Sequence, residues 1–207
     1  MNSTISIITI IFTLLSCTSN NKPTKFSTQT TQNNITMNKF IPNANRNPTL
    51  NTNINPTENA NINPTLNANI NPTLNANINP TLNANINPKL NANINPKLNA
   101  NINPTLNANI NPKLNANINP KLNANFEGFY FFDLNLNSNK IVITTNNNKV
   151  LLIFDTSFEF IEYGIHNNNN GYNLFDLNHQ WIGHLQSDGK KGYLYFDLNN
   201  KWVGFLN

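Results

Sequence analysis

Proline recurs at every eighth residue from Pro48 through Pro56 and Pro64 to Pro120, ten times without a gap. The unit between prolines reads NANINPTL or NANINPKL. Proline at that spacing removes a backbone donor and clashes one turn back, and asparagine is a poor helix former, so residues 48–123 are not α-helical. A fixed period through the middle of a 207-residue chain has to be explained as an extended or supersecondary array before any enzyme motif is sought.

A shorter period lies inside the octad. Every fourth position from Leu50 to Phe126 is apolar, with Glu58 the one exception. Each octad is therefore two tetrads, NANI and NP(T/K)L, and polar and apolar residues alternate through it. Two readings fit. Asn at the first corner and Pro at the second suit a type I turn, which makes the array a string of turns on an extended or disordered stalk. Alternatively the apolar side chains point into a thin β-solenoid, with asparagine ladders and prolines at corners that need no donor. The lack of aromatics to thicken a core favours the stalk, whereas identity of register between copies favours the solenoid.

Aromatic residues locate the globular part. Of 20 Phe, Tyr and Trp residues, 17 fall at or after Phe126, and such side chains dominate cores. Charge divides at the same place. Eight Lys/Arg stand against Glu58 alone before Phe126, and five Lys against eight acids from there on. A basic arm carrying an acidic head suits anionic lipid or a wall polymer, while the same sparse charge more simply keeps an Asn-rich segment soluble. The array lysines, Lys89, Lys97, Lys113 and Lys121, are at least eight residues apart with no aromatic between them, so nucleic acid is not expected as a partner.

A second repeat organises residues 124–207. Phe-Asp pairs occur at Phe132-Asp133, Phe154-Asp155, Phe175-Asp176 and Phe196-Asp197, with the aspartates 22, 21 and 21 residues apart. Each copy reads as an aromatic strand, a polar corner and a second strand, with NNNNG (167–171) and SDGKKG (187–192) as turns between copies. The fold class expected is all-β, an antiparallel hairpin meander of about eight short strands. From Asp188, DGKKGYLYFDLNNKWVGFL resembles the roughly 20-residue aromatic hairpin repeats of bacterial cell-wall-binding and toxin carbohydrate-binding modules. Asn200 stands where those repeats usually carry glycine. The resemblance implies ligand contact through Tyr172, Trp181, Tyr193, Tyr195 and Trp202, which as residue types equally suit a core.

At the amino terminus, the apolar stretch Ile5 to Leu15 has the length of a signal-peptide core rather than a membrane span. Leu14-Leu15-Ser16-Cys17 resembles a bacterial lipobox, although no Lys or Arg precedes it. Cys17 is the only cysteine, so no internal disulfide exists. The resemblance implies lipidation of Cys17, cleavage there and a secreted, membrane-anchored location. The expected organisation is signal segment 1–17, linker 18–47, octapeptide array 48–123 and hairpin domain 124–207.

Catalytic signals are weak. The four aspartates recur identically at turn starts, which favours Asx turns over acid-base chemistry. Asp133-Leu134-Asn135-Leu136-Asn137 alternates oxygen ligands like a calcium loop but meets Thr144 where the glutamate belongs. His166, His179 and His184 lack zinc-site spacing. Neither metal nor cofactor is expected. The reading is a non-enzymatic, surface-displayed protein that binds glycan or protein through its aromatic hairpins, with a structural spacer or self-assembling solenoid as the alternative.

Overall fold

The structure, a computed structural model, describes residues 42, 44–146 and 148–207. Cys17, the signal segment 1–17, and the linker 18–47 apart from residues 42 and 44–47 lie outside the described residues. From Phe129 onward the chain is all-β. Eight strands, β1 (Phe129–Asp133), β2 (Ser138–Thr144), β3 (Val150–Asp155), β4 (Phe160–His166), β5 (Gly171–Asp176), β6 (Trp181–Ser187), β7 (Tyr193–Phe196) and β8 (Trp202–Leu206), pair antiparallel in chain order. The last strand returns to β1, so the hairpin meander closes into a barrel. Closure removes the two edges an open meander would expose.

One corner is built four times. Asp133 Oδ1 accepts the N–H groups of Asn135 and Asn137 at 2.9 and 2.8 Å, and Asp155, Asp176 and Asp197 do the same two and four residues on. Three residues after each aspartate the backbone turns left-handed, at Leu136, Phe158, His179 and Asn200, with φ between 60° and 64°. Asn167 and Asp188 cap two turns at the opposite end in the same way. These are the Asx turns the spacing predicts.

Strand alternation sends Phe131, Ile153, Leu174 and Tyr195 to one face and Phe132, Phe154, Phe175 and Phe196 to the other. The first set joins Val142, Leu151, Leu185 and Leu206 in a single cluster, which fills the interior that eight strands leave. In the two near-identical copies a glycine lies opposite an interior ring. A Cβ at Gly183 would sit 2.7 Å from the Tyr195 ring, and one at Gly204 would sit 2.9 Å from that of Phe131. The other two copies place Lys140 and Glu162 there, opposite Phe131 and Ile153. These two join in an ion pair at 2.7 Å, with the Lys140 ammonium 5.3 Å from the Phe131 ring centre.

A strand buried on both faces needs cover outside as well. The octapeptide array supplies it. Each NANI tetrad is a single turn, 3₁₀ in nine of the ten described octads, and each NP(T/K)L tetrad turns back by a bond such as Leu66 N–H to the Asn63 carbonyl at 3.1 Å. Ile, the second tetrad's Asn, and Pro face the barrel, while Ala, the Asn between Ala and Ile, Thr or Lys, and Leu face outward. Ile86, Ile94, Ile102 and Ile110 pack on Ile141, Ile143, Leu152, Phe154 and Tyr163. Farther back in the chain, Ile62 packs with Phe132, Leu194, Phe196 and Phe205.

The array runs round the barrel against chain order. Arg46 O accepts from Asn207 beyond β8, Ile78 O from Asn173 on β5, Lys113 pairs with Glu159 before β4, and Lys121 donates to Thr156 O. Phe126 then meets Tyr130 on β1, ring edge to face at 5.7 Å, and the Tyr130 N–H bonds Asn207 O at 2.9 Å. Start and finish therefore meet. The described array is a belt of turns, differing both from a free stalk and from a β-solenoid: no residue of 44–123 is in a strand. The physical reason is that its apolar side is one isoleucine and one proline wide, too thin to be buried by itself and matched to a barrel whose outer face is apolar.

Asparagine holds the belt's shape. The first Asn of each octad caps its own turn through Oδ1 and donates through Nδ2 to the preceding octad, as Asn59 does to Asn53 O at 2.6 Å. The fifth-position Asn repeats this: Asn95 Oδ1 accepts Lys97 N–H and Asn95 Nδ2 donates to Pro88 O at 2.8 Å.

Candidate functional site

Where the belt's carboxyl-terminal turns leave the barrel and feed β1, a groove of about 600 Å³ opens between Asn117, Ile118, Asn123, Asn125, Phe126, Glu127 and Gly128 on one side and residues 143–146 and Asn148 on the other. Its floor is apolar: Ile118 and Phe126 are half-buried and Ile143 is buried. Its rim is amide and hydroxyl with one carboxylate, Glu127. Gly128 is required at the bend, since a Cβ there would lie 2.1 Å from the Phe126 ring and 2.5 Å from the Val142 carbonyl. Asn123 Nδ2 donates to Asn117 O at 2.5 Å and its Oδ1 accepts Asn125 N–H at 2.9 Å, so the rim is held by the same stitching as the belt.

Smaller grooves follow the seam between belt and barrel. One of about 430 Å³ is lined by Asn85, Asn91, Asn93, Lys149, His166 and Asn168 over Ile86, Ile94 and Ile165. Another, of about 270 Å³, lies between Pro80, Thr81, Asn87 and Lys89 of the belt and Phe175, His179, Gln180 and Trp181 of the barrel. His179 is held below the usual imidazole range by burial and then by Lys97 and Lys89. Its Nδ1 meets the Tyr163 hydroxyl at 2.5 Å. Among the described residues, no group of three or more His, Cys, Asp or Glu is placed to hold a metal ion, and no helix is long and apolar enough to cross a membrane.

The five aromatic residues that the hairpin resemblance singles out are divided by the barrel wall. Tyr172, Tyr193 and Tyr195 belong to the interior cluster. Tyr193 packs on Phe129 and Tyr172 with ring centres 5.6 and 5.5 Å apart, and Tyr195 packs on Phe131 at 5.5 Å. Burial raises the hydroxyl of Tyr195 to about 12 and also raises those of Tyr172 and Tyr193. Trp181 and Trp202 are half-buried on the outer face, each indole N–H donating at 2.8 Å to the carbonyl of a glycine two residues on, Gly183 or Gly204. These five therefore line no common surface, and only Trp181 borders a groove described above.

Phe126, Ile118 and Glu127 are what the sequence reading passed over as site residues. The available signal was Phe126 itself, where an aromatic takes the fourth-position place that Leu or Ile holds through the array apart from Glu58. No family model matches this chain, and neither a curated protein nor a solved structure matches it.

Proposed function

We propose that the chain is a non-enzymatic binding protein displayed at a cell surface, anchored by lipid on Cys17 and holding a neutral glycan in the groove beside Phe126. The observation that carries this is the pairing of an apolar floor with an amide rim in a groove of about 600 Å³. Sugar rings present an apolar C–H face and a polar edge of hydroxyls. An aromatic floor meets the first, and side chains able both to donate and to accept, as asparagine amides can, meet the second. A single carboxylate at the rim adds a strong acceptor without a charged ligand being demanded. The hairpin resemblance to carbohydrate-binding repeats supports the same class, with the contact moved from the strand aromatics to the seam.

A screen of the full chain against a glycan array tests the reading, followed by titration of the best glycan against Asn146→Leu and Glu127→Gln. Both side chains are exposed, so both variants keep the fold. The expected result is a tenfold or greater loss of affinity in at least one. Binding unaffected by both, or no glycan bound, overturns the groove as a sugar site.

A further inference from the structure

Nine leucines, Leu50 and then one in every octad from Leu66 to Leu122, stand 67% to 70% exposed in a single row along the outside of the belt. A row of large apolar side chains open to water on a folded surface marks an interaction site rather than a solvated face. From Leu66 onward the row is also uncharged at its crest. Four exposed lysines stand one residue before Leu90, Leu98, Leu114 and Leu122, and two of them are engaged by barrel loops: Lys113 pairs with Glu159, and Lys121 donates to Thr156 O and lies 4.8 Å over the Phe158 ring. The rest of that outward face is Ala, Asn and Thr, with Lys89 and Lys97 beside Leu90 and Leu98.

From this we infer that the leucine row is a docking surface for a second copy of the same chain. The row has a fixed spacing, one leucine per octad, held by asparagine bonds between successive octads. A partner must offer apolar side chains at the same interval, and the surface on this molecule that does so is the row itself. Two rows laid antiparallel interdigitate in an isologous contact, each copy giving what it receives.

Curvature sets the outcome. Because the belt passes round the barrel, any one neighbour meets only an arc of a few octads, below the roughly 1,200 Å² of a standard stable interface. A single contact is therefore weak. The row continues on the remaining sides, so further copies dock in the same way, and the association is open-ended and strengthens when the chains share a surface.

Sedimentation velocity on the full chain from low micromolar to millimolar concentration provides the test. The expected result is a mass average that climbs with concentration past the dimer, more steeply in sulfate, which strengthens apolar association. The triple variant Leu74→Glu, Leu90→Glu, Leu106→Glu copies a replacement the chain already carries at Glu58 and is expected to stay monomeric throughout, with an unchanged melting temperature. Should the triple variant lose its fold, the single Leu90→Glu takes its place, with at least a threefold weaker association expected. A wild-type chain that remains monomeric at millimolar concentration overturns the inference, as does association equal in wild type and variant. Leucine-dependent capture by uncharged phosphatidylcholine vesicles without self-association overturns it in favour of a lipid surface.

Discussion

Belt and barrel are both repeats, yet they satisfy the backbone in opposite ways. Within the barrel's strands the N–H groups bond across to neighbouring strands, whereas the belt's backbone bonds reach back only three or four residues and its asparagine Nδ2 bonds six or seven. Local bonding gives the belt a precise shape without a core, since one side of it is isoleucine against the barrel and the other is leucine in water. Chain entropy of roughly 1–2 kcal/mol per ordered residue is not recovered by such turns alone. The barrel in turn has outward phenylalanines that only the belt covers. Each completes the other, so both are expected to unfold as one cooperative unit.

The largest effects test that dependence. Phe132, fully buried and stacked on Phe205 at 5.2 Å, sits where the belt meets barrel strands, and Phe132→Ala is expected to cost about 3–5 kcal/mol in denaturant unfolding. Ile86→Ala, on the belt, is expected to cost about 2–4 kcal/mol, because Ile86 is 2% exposed against the barrel. Leu90→Ala, four residues on, is expected to change stability by less than about 0.5 kcal/mol. Equal costs for Ile86 and Leu90 would mean that the belt buries both of its sides.

Acid attacks the seam next. His184 is 1% exposed, stacked on Phe196 at 5.4 Å, and neither ring nitrogen meets a hydrogen-bonding partner. Burial lowers its pKa from 6.5 to about 4, against a smaller opposing pull from Asp197. The folded state thus favours the neutral ring, and the unfolded chain takes up the proton first. Stability is full above pH 6.5 and falls as the pH drops toward 4, by up to about 3 kcal/mol. Unfolding free energies at pH 7.5 and pH 4 measure it, and His184→Phe, which keeps the stacked ring, is expected to remove that share of the difference. An identical pH profile in the variant would assign the acid sensitivity to other groups.

Asparagine in the belt comes third. Asn95 is 2% exposed and uses both ends of its amide. Asn95→Asp keeps the acceptor to Lys97 N–H, but it sets a carboxylate oxygen against Pro88 O. A loss of about 1–3 kcal/mol is expected by thermal unfolding, while Asn93→Asp at a neighbouring exposed position should be nearly silent. A silent Asn95→Asp would show that the stitching between octads carries no stability.

Much of this molecule was legible beforehand, and what was not has a common cause. The Phe-Asp spacing marked four hairpins, and a repeated Asp at a corner can be read locally because an Asx turn is closed within five residues. The type I turn of NP(T/K)L is local in the same sense. The belt's position was hidden because one apolar residue in four is as compatible with a stalk as with a wrap; what decides is the apolar outside of the barrel, which appears only once period-two strands are closed into a cylinder. The same closure placed Tyr172, Tyr193 and Tyr195 inside and Trp181 and Trp202 outside, a division invisible in a list of aromatics. Charge also acts within the chain: two lysines of the basic array, Lys113 and Lys121, meet Glu159 and the Thr156 carbonyl of the barrel.

The smallest expected effect concerns the octad position that alternates between Thr and Lys. Lys113 and Lys121 lie beside the loop before β4, which carries Asp155 and Glu159. Lys89 and Lys97 lie beside the loop with Asp176 and His179. Asn71, next to the octad position held by Thr73, lies 3.4 Å from Asn200 in the loop where Lys201 already offsets Asp197. The lysines thus stand beside the two loops that carry unbalanced acid, the second of which Thr81 also borders, and their placement favours one register for octads that are otherwise interchangeable and able to slip by one unit. Exchanging Lys113 and Lys121 for Thr while Thr65 and Thr73 become Lys preserves composition and net charge but inverts the pattern. Since exposed pairs contribute about 0–1 kcal/mol each, the exchange is expected to lower stability by about 1 kcal/mol at low salt. The difference should vanish in 1 M salt, where screening acts within about 3 Å. Equal stability of the two chains at low salt would leave the isoleucines, not the lysines, to hold the belt in place.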